Sequence, residues 1–273
     1  MIIASNIVGD KITFEDGVSA MEINLIKFDT TIGKTKPVTL IDGRHDACPF
    51  CDVAHLTGII DTDDDIIFLK NKYNVVVGAD QFVLIEGREC GADMPDYSLE
   101  HMTRVLSMAL KHWRRLLDSG RYEEVLFFKN FGPMSGGTIK HPHMQLVGFP
   151  ELRAELLFDP IELNGLEIKK EDGVELNIST CPRVGFGELN VISAFDLPIE
   201  PLAKFLQVGV HYLMHHFRKN LTSYNLFFYH RGEKFYVKMM PRFATSPYFV
   251  GYNIRFRPNN LEQIAAEIKR LYF

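Results

Sequence analysis

The residues best suited to chemistry lie in one unbroken stretch, Asn130-Phe-Gly-Pro-Met-Ser-Gly-Gly-Thr-Ile-Lys-His-Pro-His-Met-Gln145. Gly132, Gly136 and Gly137 have no Cβ, so the backbone there can take left-handed conformations and bring N–H groups close to an anion. His141-Pro142-His143-Met144-Gln145 follows and runs into apolar Leu146-Val147. If this run is a strand, side chains 141, 143 and 145 share one face, and two imidazoles and a carboxamide converge. A glycine loop for phosphate beside an imidazole nucleophile is the chemistry such a pattern serves.

Two other readings compete. Gly132 to Thr138 nearly has the spacing of a P-loop, but no lysine precedes the hydroxyl residue and no helix is expected to follow, which excludes a P-loop NTPase. His141 and His143 as packed core histidines is the blander alternative, and their pairing on one face behind several glycines weighs against it. A further motif, Cys48-Pro-Phe-Cys51, has the spacing of a metal grip or a redox pair.

The remaining composition narrows the class. A chain of 273 residues with 46% hydrophobic content can bury a sizeable core, as one large domain or two small ones. A net charge of −5 without a basic cluster excludes duplex nucleic acid as a partner. The N-terminal residues show no basic n-region and no long apolar segment, and no run is long enough to span a bilayer, so a soluble cytoplasmic protein is expected. Four cysteines are too few for a disulfide framework at this length.

Positioning the candidate loop requires strands, a helix and more strands. Residues 1–47 read as an irregular arm with turn signals at Gly9-Asp10 and Asp16-Gly17. Asp61-Thr-Asp-Asp-Asp65 lacks the glycine and terminal glutamate of an EF-hand loop and reads as a solvated turn. Ile66–Leu69, Tyr73–Val77 and Gln81–Glu86 read as an antiparallel meander. A helix follows, capped by Asp96 or Ser98 and stopped by Gly120, with Met102, Val105, Leu106, Ala109, Trp113, Leu116 and Leu117 on one stripe. Glu124–Phe128 and the His-x-His-x-Gln strand complete the unit. The second half repeats the order: Val174–Ser179, Glu188–Ile192, a helix from 199 to 219, Tyr224–Tyr229 and Lys234–Met239, with a last helix capped by Asn260. Its strand at Phe235-Tyr236-Val237-Lys238-Met239 carries no imidazole. The helical His211, His215 and His216 lack the glutamate of a His-Glu-x-x-His motif and read as surface or interface positions.

With these residues in place, the chain resembles the galactose-1-phosphate uridylyltransferase-like branch of the histidine triad superfamily. The stretch from Lys129-Asn130 to Gln145 is similar to that branch's Asn-x-Gly, Gly-x-Ser and His-Pro-His-x-Gln signature, with Thr138 in place of the serine. Cys48-Pro-Phe-Cys51 resembles its Cys-Pro-x-Cys, Lys70-Asn71-Lys72-Tyr73 its nucleoside element, and Phe249-Val-Gly-Tyr252 a segment near its C-terminus. The resemblance implies an α+β, HIT-like fold of two half-barrel repeats: residues 1–150 as arm plus catalytic repeat, and 151–273 as a degenerate repeat with the C-terminal helix. It implies that His143 forms a covalent nucleotidyl intermediate while Gln145, standing where hydrolytic relatives carry a third histidine, favours transfer over hydrolysis. Asn71, Asn130, Gly132, Gly136, Gly137 and Thr138 are then the substrate contacts. A structural Zn²⁺ on Cys48, Cys51, Cys90 and His141 is implied as well, with His45 and His55 in reserve and Cys181 packed inside. The implied partners are a nucleotide sugar or dinucleoside polyphosphate, a sugar phosphate or phosphate acceptor, and a second copy of the chain in a homodimer. A dinucleoside polyphosphate or ADP-sugar phosphorylase and a non-catalytic nucleotide-binding regulator are the alternatives. Lys72 stands where the branch has an aspartate, and Tyr236 and Lys238 leave no second histidine site.

Overall fold

The computed structural model describes residues 4–8, 11–14, 24–40 and 47–273. Strands β1 (Ala4–Val8) and β2 (Lys11–Phe14) pair as a small antiparallel ribbon. The two turn signals expected in this arm lie outside the described residues. Helix α1 (Thr30–Lys34) is one short turn whose cap, Asp29, accepts from the N–H groups of Thr31 and Ile32.

Ten further strands form one antiparallel sheet. The first half supplies β3 (Ile59–Asp63), β4 (Ile66–Lys70), β5 (Asp80–Ile85), helix α2 (Leu99–Leu117), β6 (Glu124–Phe131) and β7 (His143–Phe149). The second half supplies β8 (Gly165–Glu171), β9 (Val174–Ser179), β10 (Leu189–Ala194), helix α3 (Ile199–Tyr212), β11 (Tyr224–Arg231) and β12 (Lys234–Pro241). The spatial order is β3-β4-β5-β7-β6-β11-β12-β10-β9-β8, so each half contributes five neighbouring strands in mirrored sequence. The halves meet at β6 and β11, where Phe127 faces Phe228 and Asn130 faces Asn225.

Three expectations needed correction here. Tyr73–Val77 is not a strand of the sheet: Val75 O accepts from the Asp29 N–H at 2.8 Å and the Val77 N–H donates to Lys27 O at 3.0 Å, an isolated pairing with the arm, while Asn71 Oδ1 accepts from the Tyr73 N–H at 2.9 Å and Asn74 Nδ2 donates to Ala79 O at 3.0 Å. Such bonds offer the chain an alternative to a sheet ladder. The aspartate-rich run is not simply a solvated turn, since Ile59–Asp63 is the edge strand and Asp64 alone takes the left-handed conformation, at φ 56°. Asp61 is held by Lys111 and His112, each at 2.7 Å, and Asp63 by Arg104 at 2.8 Å, which fastens this edge to α2. Finally, α3 does not run as an α-helix to residue 219 but passes into a π-helical turn at Leu213–Phe217.

Helix α4 (Pro247–Tyr252) is short, and α5 (Leu261–Tyr272) closes the chain; Asn260 precedes α5 without making the expected side-chain cap bond. Helices α2, α3 and α5 pack on one face of the sheet over a single apolar core centred on Trp113, whose indole N–H donates to Val125 O at 2.8 Å. Met102, Val105, Leu106 and Ala109 are fully buried, as the stripe on α2 requires, and Ser98 caps the helix through the His101 N–H. Burying that stripe supplies most of what holds helix to sheet, at about 1.5–3 kcal/mol for each large side chain.

The opposite face is used differently by the two halves. In the first half it is hollow and holds the candidate site. In the second half, Asn177, Asn190 and Lys238 stand in one cross-strand row on the same face, since Lys238 pairs with Phe227 two residues along β11 from Asn225. They are covered by the chain connecting the halves. Lys238 Nζ and Ser179 Oγ donate to Glu162 O at 2.9 and 2.7 Å, and Asn177 Nδ2 reaches Leu163 O at 3.4 Å. Glu162 itself is buried, with Arg255 at 3.1 Å. Among the described residues no helix is long and apolar enough to cross a membrane.

Candidate active site and metal centre

Strand β7 begins at His143, so His141 lies before it and the two imidazoles diverge rather than converge. Pro142 causes this, because it has no N–H to give to the ladder and keeps the preceding residue out of register. His141 is turned towards the cysteines. Its Nδ1 lies 3.7 Å from Cys48 Sγ and 3.5 Å from Cys51 Sγ, and its Nε2 donates to Gly87 O at 2.8 Å. Ligand atoms of Cys48, Cys51, Cys90 and His141 all lie within 4.8 Å of one another. Tetrahedral zinc with Zn–S near 2.3 Å and Zn–N near 2.0 Å would separate S and N by about 3.5 Å, so the observed spacings suit a metal ion. The bond from His141 Nε2 to a carbonyl fixes the tautomer that frees Nδ1 as a ligand.

The three thiols do not ionise together unaided. Burial and the neighbouring thiols push Cys90 up to about 12. Burial also acts against Cys48, yet the contact with His141 and the Phe50 and Cys51 backbone outweigh it and pull this thiol down to about 6. A cation among the three sulfurs would favour every thiolate at once. His55 is exposed and bound to Asp52 at 2.7 Å, which removes it from the centre; His45 lies outside the described residues. Cys181 is half-buried at the surface rather than packed inside.

His143 faces the other way, into a cavity of 480 Å³. Its Nδ1 lies 2.8 Å from His141 O, so Nδ1 carries the proton and Nε2 keeps its lone pair on the cavity side. Burial foremost, opposed by this hydrogen bond and assisted by the charges of Lys129, His141 and Lys36, brings His143 down to about 4. The imidazole is therefore neutral at pH 7, as a nucleophile must be. Phe50, carried between the two cysteines, packs edge-on against both imidazole rings, with centroids 5.9 Å from His141 and 5.2 Å from His143. The candidate metal centre and the cavity thus share one wall.

Asn71, Asn130, Gly136, Gly137, Thr138 and Gln145 line the same cavity. Gly132 does not. At φ +81° it is pressed against the second half, where an added Cβ would lie 2.0 Å from Thr222 O. The Gly137 N–H is taken by Ser135 Oγ at 3.2 Å, whereas the Gly136 and Thr138 N–H groups have no partner among the described residues. The loop is pinned from two sides: Thr39 and Leu40 donate to Thr138 O, and the Met134 N–H donates to Ser223 Oγ at 2.9 Å.

Sequence reasoning missed three contributors. Lys36 lines the cavity close enough for its charge to lower His143, and burial lowers its own pKa. The signal available was only a lysine before Pro37, after a capped turn. Ser223 and Asn225, both buried on β11 and its approach, hold the glycine loop from the other half of the chain; nothing in their spacing marks them. The apolar remainder of the cavity, including Phe128, Val147 and Phe149, offers a flat surface for a ring system.

Comparison with known proteins agrees with this architecture. Among solved structures the chain is similar to a DUF4931 family protein from Bacillus cereus, at 36% identity over 78% of this chain and 98% of that one, with a TM-score of 0.70. It is also similar in fold to a uridylyltransferase (16% identity, 90% and 97% covered, TM-score 0.67) and to an ADP-glucose phosphorylase from Arabidopsis thaliana solved with bound ADP-glucose (14%, 89% and 94%, 0.66). No curated protein sequence matches the chain. These neighbours are of the uridylyltransferase-like branch that the signature residues resemble. Family models described as the N-terminal and C-terminal domains of a domain of unknown function, DUF4931, match residues 28–152 and 155–273, and the chain belongs to that family.

Proposed function

We propose that the chain is a nucleotidyltransferase that works through a covalent intermediate on His143. The observation that carries this reading is the neutral, buried His143, with its Nδ1 proton engaged by His141 O and its Nε2 free in a cavity lined by glycines, amides and Lys36. Nε2 attacks the α-phosphorus of a nucleoside diphosphate sugar, a P–N bond forms, and the bond from phosphorus to the bridging oxygen breaks. The leaving sugar phosphate departs as an anion and needs no proton. An acceptor phosphate oxygen then attacks the same phosphorus and releases the imidazole, so two easier displacements replace one difficult one.

Lys36, Asn130, Gln145, Thr138 and the open Gly136 N–H supply charge and donors to the non-bridging oxygens in the transition state. Gln145 orients the phosphate but cannot deliver a proton, which suits transfer better than hydrolysis. Cys48, Cys51, Cys90 and His141 hold a structural Zn²⁺ that supplies rigidity, fixing the Phe50 wall and the start of β7. The two halves, divided near residue 150, are repeats of one half-barrel unit of which only the first keeps the histidine; the mirrored strand order supports this. A cytoplasmic enzyme, working as a homodimer, fits the same reading.

Sugar phosphates and inorganic phosphate are both acceptors that such a site can use, and the likeness to an ADP-glucose phosphorylase favours trying phosphate beside sugar phosphates. The test is intact-protein mass spectrometry at neutral to mildly alkaline pH, after mixing with UDP- and ADP-sugars and dinucleoside polyphosphates. A nucleoside monophosphate adduct on wild type, absent from His143→Ala, is expected. Nucleotide binding without any adduct would replace this reading with a non-catalytic regulator.

A further inference from the structure

The glycine loop reaches its place through a polar contact made by the half of the chain that carries no histidine. Asn225 is 1% exposed and directly faces Asn130 across the junction of β6 and β11. Its Nδ2 donates to Ser135 O at 3.1 Å and reaches Lys129 O at 3.4 Å. Two backbone carbonyls on one side leave the Asn225 amide a single sensible orientation, because its oxygen there would meet only acceptors. The same Nδ2 lies 2.6 Å from Asn130 Oδ1. Asn130 must therefore present its oxygen to Asn225, and its own Nδ2, with two protons, is left on the side of the cavity that Asn130 lines.

We propose that Asn225 is a positioning residue which sets the Asn130 amide so that this side chain offers the cavity a donor and never an acceptor. The inference rests on the phosphate-handling role given to the loop above. An unconstrained amide would spend part of its time with oxygen forward, facing the non-bridging oxygens of a phosphate with a repulsive lone pair. Fixing the orientation beforehand removes that state and the cost of reorienting on binding. The second half of the fold thereby takes part in anion recognition without contacting the ligand.

A double-mutant cycle tests this, read as UMP and AMP affinity by calorimetry. Asn130→Asp keeps an oxygen for Asn225 to bond and places a second, negatively charged oxygen in the cavity. It should lower mononucleotide affinity by about 10- to 100-fold while leaving the melting temperature nearly unchanged. Asn225→Leu frees the Asn130 amide and should lower affinity about 5- to 10-fold. The double variant should bind no worse than Asn130→Asp alone, since Asn225 acts through the donor that the aspartate has already removed. Losses that simply add would mean that Asn225 is only a structural support, and Asn130→Asp binding as tightly as wild type would overturn the inference outright. So would a wild-type protein that binds neither mononucleotide. Failure of the transfer reading is a separate result, namely mononucleotide binding with the expected cycle but no adduct on His143.

Discussion

Replacing Gly132 and Gly136 by alanine separates two costs that coincide at the first and not at the second. Both residues have left-handed backbones, at φ +81° and +87°, so each alanine bears the penalty of about 1–2 kcal/mol for a Cβ in that region. At Gly136 the new methyl meets nothing within 4 Å. At Gly132 it would lie 2.0 Å from Thr222 O and 2.5 Å from Ser223 Oγ, where real contacts do not fall below 3.0 Å, so the loop must retreat by about 1 Å. That retreat breaks the hydrogen bond from the Met134 N–H to Ser223 Oγ and loosens the Asn225 contact to Ser135 O, worth about 1 kcal/mol each. The difference between the variants is therefore roughly 2 kcal/mol, or about 4–8 °C in melting temperature for a chain of this size. On the proposed function, a displacement of about 1 Å at the glycine loop should also cost Gly132→Ala about 100-fold in the rate of adduct formation. Differential scanning calorimetry of the two variants side by side gives the answer. Melting temperatures within 1–2 °C of each other, or a more stable Gly132→Ala, would refute the claim that the second half wedges the loop in place.

Cys90→Ser should reduce bound zinc, measured by elemental analysis, from about one ion per chain to well below that. If free zinc stands at about 1,000 times its dissociation constant, the metal adds about 4 kcal/mol, so removal with a chelator should lower the melting temperature by roughly 8–16 °C. An unchanged melt would dismiss a structural metal. Lys36→Met should weaken donor binding or transfer by about 10- to 100-fold with little change in stability, and steady-state kinetics on purified variants would expose a lysine that does not matter. Asp93 gives a pH signature: burial, opposed by the Lys129 charge and the Tyr224 hydrogen bond, raises its carboxyl to about 6. With an unfolded value of about 3.9, the folded state binds the extra proton between these limits, so this contribution to stability is present at pH 4 and lost as pH rises through 6. Asp93→Asn, which can still accept from Tyr224, should be more stable than wild type above pH 7 by an amount on the order of 2–3 kcal/mol and lose that advantage at pH 4. A melting difference independent of pH would contradict the sign.

The legible parts of the sequence were those where one physical demand acts alone. The α2 stripe and its Ser98 cap could be read because apolar spacing and local capping answer only to the helix and its sheet. The Cys-Pro-Phe-Cys grip and the His-Pro-His-Met-Gln run were legible because few other uses explain such residues together. Tyr73–Val77 misled because β-branched and aromatic residues argued for a sheet strand, while Asn71 takes the Tyr73 N–H and Val75 to Val77 pair only with the arm at Lys27 to Asp29. His141 and His143 misled because alternation along a strand was applied across a proline that stands outside it. Strand β8, Gly-Leu-Glu-Ile-Lys-Lys-Glu, was passed over because an edge strand buries little and carries charge. Lys36 and Asn225 come from distant parts of the chain and act only through tertiary placement, for which no local pattern exists.

The connecting segment laid across the second half has a consequence for what that half can still bind. Lys238, Ser179, Asn190 and Asn177 act on the carbonyls of Glu162 and Leu163 as a groove acts on an extended peptide. Because the peptide is tethered to the groove, its effective concentration is on the order of millimolar or higher. A small molecule arriving from solution competes with an occupant that never diffuses away, and displacing it would cost Lys238 and Ser179 their shared acceptor, leaving Lys238 its ion pair with Glu188 at 2.9 Å. Among the described residues the row around Lys238 is thus covered by the chain's own connector, while the corresponding face of the first half stays open around His143.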